Sequence, residues 1–110
     1  MGLYGWTGVM ADPDNFLFPN LSSTNAVKPA SNRAFYKNDE FTKLLQQART
    51  TMDKNERAKL YEKAQEIFHQ DVPWVTIAHT TPPIALAGYV EGFEAHPMEN
   101  DTFATVYLNK

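Results

Sequence analysis

The sequence has no cysteine, which excludes disulfide bonds, thiolate nucleophiles and cysteine-ligated metal centres together. It has no excess of basic residues, because 10 Lys and Arg face 13 Asp and Glu for a formal net charge of -3, so we expect no nucleic-acid partner. It has no apolar run near the roughly 20 residues that a membrane-spanning helix needs. Nor does a basic and apolar leader follow Met1, so we expect no signal peptide within this stretch.

What is present is typical of one globular domain: 110 residues, of which 43% are hydrophobic and 21% are charged. More than half of the charged residues lie between Asn38 and Asp71. This distribution predicts a solvated helical segment in the middle of the chain, between two flanks of different character.

Two amphipathic helices are predicted in the middle segment. The first is capped by Asn38 and runs to about Thr50, with an apolar stripe of Phe41, Leu44, Leu45 and Ala48. The second starts at Asp53, with Glu56 placed as in a capping box, and continues to Phe68, with a stripe of Leu60, Tyr61, Ala64, Ile67 and Phe68. Because the connection is short and each stripe needs a partner, we expect the helices to pack antiparallel.

The flanks carry strand and turn signals. Strands are predicted at residues 1–8, 74–78, 84–87 and 103–108, from their β-branched and aromatic residues. Pro73 should end the second helix. Proline dipeptides with many Asn and Ser predict a long irregular loop from Val9 to Lys37, a kind of segment that is often functional.

Catalytic and metal-binding signatures are missing. His69, His79 and His96 have no metal-ligand spacing, no serine lies in a nucleophile elbow, and no glycine-rich phosphate loop occurs. We therefore expect a protein that is not an enzyme, with no catalytic residue, metal or cofactor.

The segment from Gly5 to Gly8 is unusual because small residues flank one large aromatic residue, Trp6. Residue type alone predicts that Trp6 lies in the core. The alternative is that the glycines let an extended peptide approach and form main-chain hydrogen bonds, with Trp6 as one wall of a side-chain pocket.

Two motifs, GWTGxxxDPDNF from Gly5 to Phe16 and LYEKAQEIFHQDVPWVTIAHTT from Leu60 to Thr81, resemble segments of periplasmic dipeptide-binding proteins. These belong to the peptide/nickel class of solute-binding proteins that serve ABC importers. The resemblance covers essentially the whole chain, while members of the class are several times longer. It therefore implies the C-terminal part of a two-lobed α/β periplasmic-binding-protein fold, with two central helices flanked by strands.

By this resemblance, residues 1–81 are part of the C-terminal ligand-binding lobe, and residues 82–110 cross at Pro82-Pro83 and return to the other lobe. The implied protein is periplasmic, captures di- or oligopeptides or a related small ligand, and delivers them to an inner-membrane ABC permease. The alternative is a helical-hairpin interaction module without a small-molecule site. Trp6 in an open cleft favours the receptor, whereas Trp6 packed under Leu44 or Leu60 favours the module.

The resemblance also implies the ligand-binding residues. The backbones of Gly5 and Thr7 pair with the ligand, and Trp6 lines the pocket. The family usually has an aspartate three residues after this tryptophan, which neutralises the α-amino group of the ligand, but here that position is Val9. Because a buried ammonium needs a carboxylate partner, either another acid such as Asp12 replaces it or the ligand differs.

Overall fold

The computed structural model describes residues 2–8, 10–79, 81, 83–96 and 101–110. Its contacts divide the chain into two compact units, Met1–Thr76 and Ile77–Lys110. The elements are α1 (Pro13–Leu21), a 3-10 turn (Ser23–Asn25), α2 (Asp39–Thr50), α3 (Lys54–Asp71), β1 (Val90–Glu91) and β2 (Tyr107–Leu108). This mixture of helices and a small sheet confirms the α/β class. None of the described helices is long and apolar enough to span a membrane.

The helical hairpin of α2 and α3 is confirmed. The Asn38 side chain accepts a hydrogen bond from Phe41 N–H at the start of α2, and the Asp53 side chain accepts from the N–H groups of Asn55 and Glu56 at the start of α3. These bonds satisfy amide groups that the first helical turn otherwise leaves without partners. α3 ends at Asp71, and Val72 has a left-handed conformation with φ of 44°.

Hydrogen bonds at both ends of the hairpin show that α2 and α3 are antiparallel, since each bond joins the start of one helix to the end of the other. At one end Asn38 Nδ2 donates to Asp71 Oδ2 over 2.8 Å, and at the other Arg57 Nε donates to the Ala48 carbonyl over 3.0 Å. The core lies between the helices and under α1; its buried members are Leu17, Leu21, Phe41, Leu45, Ala48, Tyr61 and Ala64. Leu44, Leu60, Ile67 and Phe68 of the predicted stripes pack at its margin and are only partly buried.

The prediction of an irregular loop from Val9 to Lys37 was wrong, because this stretch contains α1. The Asp12 side chain accepts a hydrogen bond from Asp14 N–H, and Pro13 occupies the first turn, where proline is tolerated. Leu17 and Leu21 are spaced by four residues and are buried in the core. Pro19 lies inside the helix, where proline ordinarily breaks it, which is why the sequence favoured a loop.

Most of the predicted strands were also wrong. Residues 2–8, 74–78 and 84–87 form no strand in the described part of the chain, since a strand requires a neighbour to pair with. The last predicted strand is reduced to β2, which pairs antiparallel with β1 through Val90–Leu108 and Glu91–Tyr107. The Tyr107 hydroxyl donates to Glu91 Oε2 over 2.5 Å within this ribbon.

Candidate functional site

The segment of residues 2–8 offers an unpaired backbone. Its residues form no helix or strand, and none of their described main-chain groups bonds to another main-chain group. Gly5 and Thr7 are exposed, and a Cβ atom at Gly5 meets nothing within 4 Å. An accessible backbone without main-chain partners can accept a second strand through main-chain hydrogen bonds.

Trp6 is held by a bond from its indole ring to α1. Its Nε1–H donates to the Asn15 carbonyl over 3.2 Å. In an uninterrupted helix that carbonyl accepts from the amide four residues later, but that residue is Pro19, which has no N–H. Because Pro19 cannot donate to this carbonyl, the Trp6 indole donates in the place of a helical amide.

Around Trp6 lies an aromatic cluster, which we define as Tyr4, Trp6, Phe16 and Trp74. Ring centres are 6.3 Å apart for Tyr4 and Trp6, 5.7 Å for Tyr4 and Trp74, and 5.9 Å for Phe16 and Trp74. These separations are in the range of favourable edge-on or tilted contacts. Phe16 and Trp74 pack against the core, whereas Tyr4 is 40% exposed.

Two polar side chains, those of Asn20 and Arg33, contact Tyr4. Its hydroxyl donates to Asn20 Oδ1 over 3.3 Å, and the Arg33 guanidinium carbon lies 6.0 Å from its ring centre. Tyr4 and Trp6 together form the accessible side of the aromatic cluster, because Trp6 is only half-buried and is not among the residues that pack against the core. Trp6 is thus not packed under Leu44 or Leu60.

Asp12 lies at the start of α1, where its Oδ1 atom accepts two hydrogen bonds. One comes from Asp14 N–H over 2.9 Å, and the other from Arg57 Nη2 over 2.8 Å. The bond from Arg57 holds the pKa of Asp12 below its ordinary value, against the opposing effect of partial burial. Asp12 is therefore ionised at neutral pH and already has a cationic partner.

Asp14 also has an arginine beside it, since Arg49 Nε lies 3.4 Å from its Oδ2 atom. Arg49 additionally lies over the ring of Phe18, with its guanidinium carbon 4.2 Å from the ring centre. The first two carboxylates after Trp6 in the sequence are thus both paired with arginines from the helical hairpin. A ligand ammonium placed here competes with those arginines.

The predicted site residues are brought together in part. Gly5, Trp6 and Thr7 form one accessible stretch, Asp12 lies at the first turn of the helix that binds Trp6, and Val9 lies outside the described residues. Sequence reasoning missed Tyr4, Phe16 and Trp74 as neighbours of Trp6, and Arg57 as the partner of Asp12. For the three aromatic residues the only available signal was their residue type, since Trp74 is distant from Trp6 in sequence.

No family model matches the chain. Curated proteins do match, over nearly its whole length. It is 41% identical over 105 residues to Di/tripeptide-binding protein 4 of Pseudomonas aeruginosa. This match covers 96% of this chain and 20% of that protein. It is 43% identical over 108 residues to Heme-binding protein A of Haemophilus influenzae, which covers 98% of this chain and 19% of that protein.

A solved structure agrees in both fold and sequence. The periplasmic binding protein DppA of Helicobacter pylori, in complex with the peptide STSA, has a TM-score of 0.76 and 37% identity, over 96% of this chain and 21% of that one. The chain is a homologue of the dipeptide-binding proteins over part of their length. It spans about a fifth of the relatives that it matches, which agrees with the expectation of one part of a larger two-lobed α/β protein.

Proposed function

We propose that this chain is the part of an extracytoplasmic solute-binding protein that contacts the ligand, a di- or oligopeptide or a related small molecule. The single observation that carries the proposal is the unpaired, accessible backbone of Gly5 and Thr7 beside the anchored ring of Trp6. The names of the relatives support it, since they describe binding of di- and tripeptides or heme.

In the proposed mechanism the ligand adds to residues 5–7 as an extended strand. Main-chain hydrogen bonds give affinity that is independent of sequence, and a ligand side chain lies against Trp6 and Tyr4. No bond is made or broken. The rest of the larger protein supplies the opposite wall of the cleft. Ligand binding favours the closed arrangement of the two lobes, because contacts from both lobes to the ligand form only in that arrangement.

The wider context follows from the same relationship. We propose that residues 1–81 lie in the ligand-binding lobe and residues 82–110 return to the other lobe. We also propose that the larger protein is periplasmic and delivers its ligand to an inner-membrane ABC permease. The interaction-module alternative has less support, since the apolar stripes of α2 and α3 are used against each other and under α1.

The test is a chimera in which residues 1–110 replace the matching fifth of Di/tripeptide-binding protein 4. Isothermal titration with di- and tripeptides should show binding. Trp6→Ala should weaken it by about tenfold or more, the cost of losing one aromatic wall.

A proline scan separates backbone contacts from side-chain contacts. Gly5→Pro removes an N–H proposed to face the ligand, whereas the matched Gly2→Pro alters an equally open glycine outside the contact residues. We expect about a two- to tenfold loss for the first variant and none for the second. If the chimera melts like the intact relative but binds no peptide, or if both proline variants bind equally well, the proposal is wrong.

A further inference from the structure

The Arg57 side chain of α3 makes hydrogen bonds to three residues. Its Nη2 atom donates to Asp12 Oδ1 over 2.8 Å and to the Tyr61 hydroxyl over 2.9 Å. Its Nε atom donates to the Ala48 carbonyl over 3.0 Å, and its guanidinium carbon lies 5.0 Å from the centre of the Tyr61 ring. The guanidinium group thus joins α3, the end of α2 and the start of α1.

A continuous set of hydrogen bonds leads from Arg57 to Trp6. Asp12 accepts from Arg57 with its side chain, and its carbonyl accepts from Asn15 N–H over 3.1 Å. The carbonyl of Asn15 in turn accepts from the Trp6 indole over 3.2 Å. The first turn of α1 is therefore the link between the hairpin and the segment that carries Trp6.

We propose that Arg57 is a positioning residue for Trp6. Because residues 2–8 have no described main-chain bonds to other backbone groups, the place of Trp6 depends on the few side-chain bonds that hold it. Arg57 fixes the first turn of α1 and thereby the acceptor to which the indole is bonded. The consequence for ligand binding rests on the proposed function, whereas the positioning itself can be measured without a ligand.

A purely stabilising role for Arg57 predicts a different result. The side chains of Arg57 and Asp12 are 28% and 38% exposed, so their ion pair is partly screened by solvent. Loss of the pair should then lower the melting temperature only slightly and leave the environment of Trp6 unchanged. Positioning, by contrast, predicts a local change at Trp6 in a protein that remains folded.

The readout is solvent exchange of the two indole N–H groups, followed by nitrogen-15 NMR on the 110-residue chain. Trp74 is the internal reference, and Trp74→Phe assigns the two signals. In Arg57→Met we expect exchange at Trp6 to accelerate by about two- to tenfold, as for loss of one hydrogen bond, with little change at Trp74. Arg57→Lys should restore part of the protection.

The matched control is Lys59→Met, which removes the same charge from an exposed position of the same helix. It should leave both indole signals unchanged. If Arg57→Met fails to fold, Asp12→Asn replaces it, because Asn still caps α1 but weakens the bond to Arg57. Unchanged exchange at Trp6 in a folded variant of either kind overturns the proposal.

The ligand arm uses the chimera defined above. Arg57→Met should weaken peptide binding, and Lys59→Met should not. If the chimera binds no peptide at all, the proposed function is wrong, while the exchange measurement still decides the positioning role. If exchange accelerates and affinity is unchanged, Arg57 positions Trp6 but the consequence for the ligand is refuted.

Discussion

Replacing Leu45 by Ala tests the arrangement of the core, because this side chain is fully buried between α1, α2 and α3. Such a truncation costs about 2–5 kcal/mol, which combines the lost transfer free energy with the cavity left behind. Leu60 is the matched control: it has the same side chain, lies on α3 and is only partly buried at the margin of the core. Its truncation should cost about 1 kcal/mol, since less apolar surface is removed from contact.

The assay is urea unfolding followed by far-ultraviolet circular dichroism. With a slope of about 1–2 kcal/mol per M urea for a chain of this size, Leu45→Ala should lower the midpoint by roughly 1 M or more, and Leu60→Ala by less. An equal or larger loss for Leu60 would mean that the faces assigned to the hairpin are reversed. A near-neutral Leu45→Ala would mean that α1 does not cover this position.

Three further predictions concern other parts of the molecule. Gly92→Ala should disrupt the β1–β2 ribbon, because Gly92 has φ of 75° and its added Cβ meets the Thr105 carbonyl, whereas Gly88→Ala meets nothing within 4 Å and should leave amide exchange in the ribbon unchanged. Tyr36→Phe should raise the pKa of Asp71, which the Tyr36 and Asn38 hydrogen bonds hold below its ordinary value. The isolated 110-residue chain should bind no standard dipeptide with submicromolar affinity, since it spans about a fifth of its relatives; calorimetry checks this.

The stabilisation that Asp71 gains from its hydrogen bonds depends on pH. Because the folded-state pKa is lowered, the stabilisation from its hydrogen bonds is present above the unfolded value of about 3.9 and is lost as the pH falls through the folded value. Wild type and Tyr36→Phe should therefore differ in melting temperature near neutral pH and converge in acid. A difference in melting temperature that persists in strong acid would show that it does not come from the ionised Asp71 carboxylate. Carbon-13 NMR of the Asp71 carboxyl measures the pKa directly.

Local signals in the sequence were sufficient for α2 and α3, because their caps and apolar stripes involve residues within one or two turns. Leu60 shows the limit even there, since the stripe predicts a face but not how far α1 extends over it. α1 was missed because Pro19 is a helix breaker in isolation. Its cost is offset by the burial of Leu17 and Leu21 in the core and by Trp6, which donates to the Asn15 carbonyl that Pro19 cannot bond.

The site was predictable only in its contiguous part. Gly5, Trp6 and Thr7 are neighbours in sequence, so their composition and a family resemblance identify them together. The bond between Arg57 and Asp12 joins residues 45 positions apart, and Trp74, which follows the end of α3, contacts Tyr4. Such contacts depend on the packing of whole helices and leave no pattern along the chain.

The most direct test of the account is a crystal structure of the chimera with a bound tripeptide. We expect main-chain hydrogen bonds of about 2.9 Å between the ligand and the backbones of Gly5 and Thr7. We also expect the ring of Trp6 against a ligand side chain, and its indole N–H still bonded to the Asn15 carbonyl. A peptide bound elsewhere, or Trp6 turned inward beneath Leu44 or Leu60, contradicts the account.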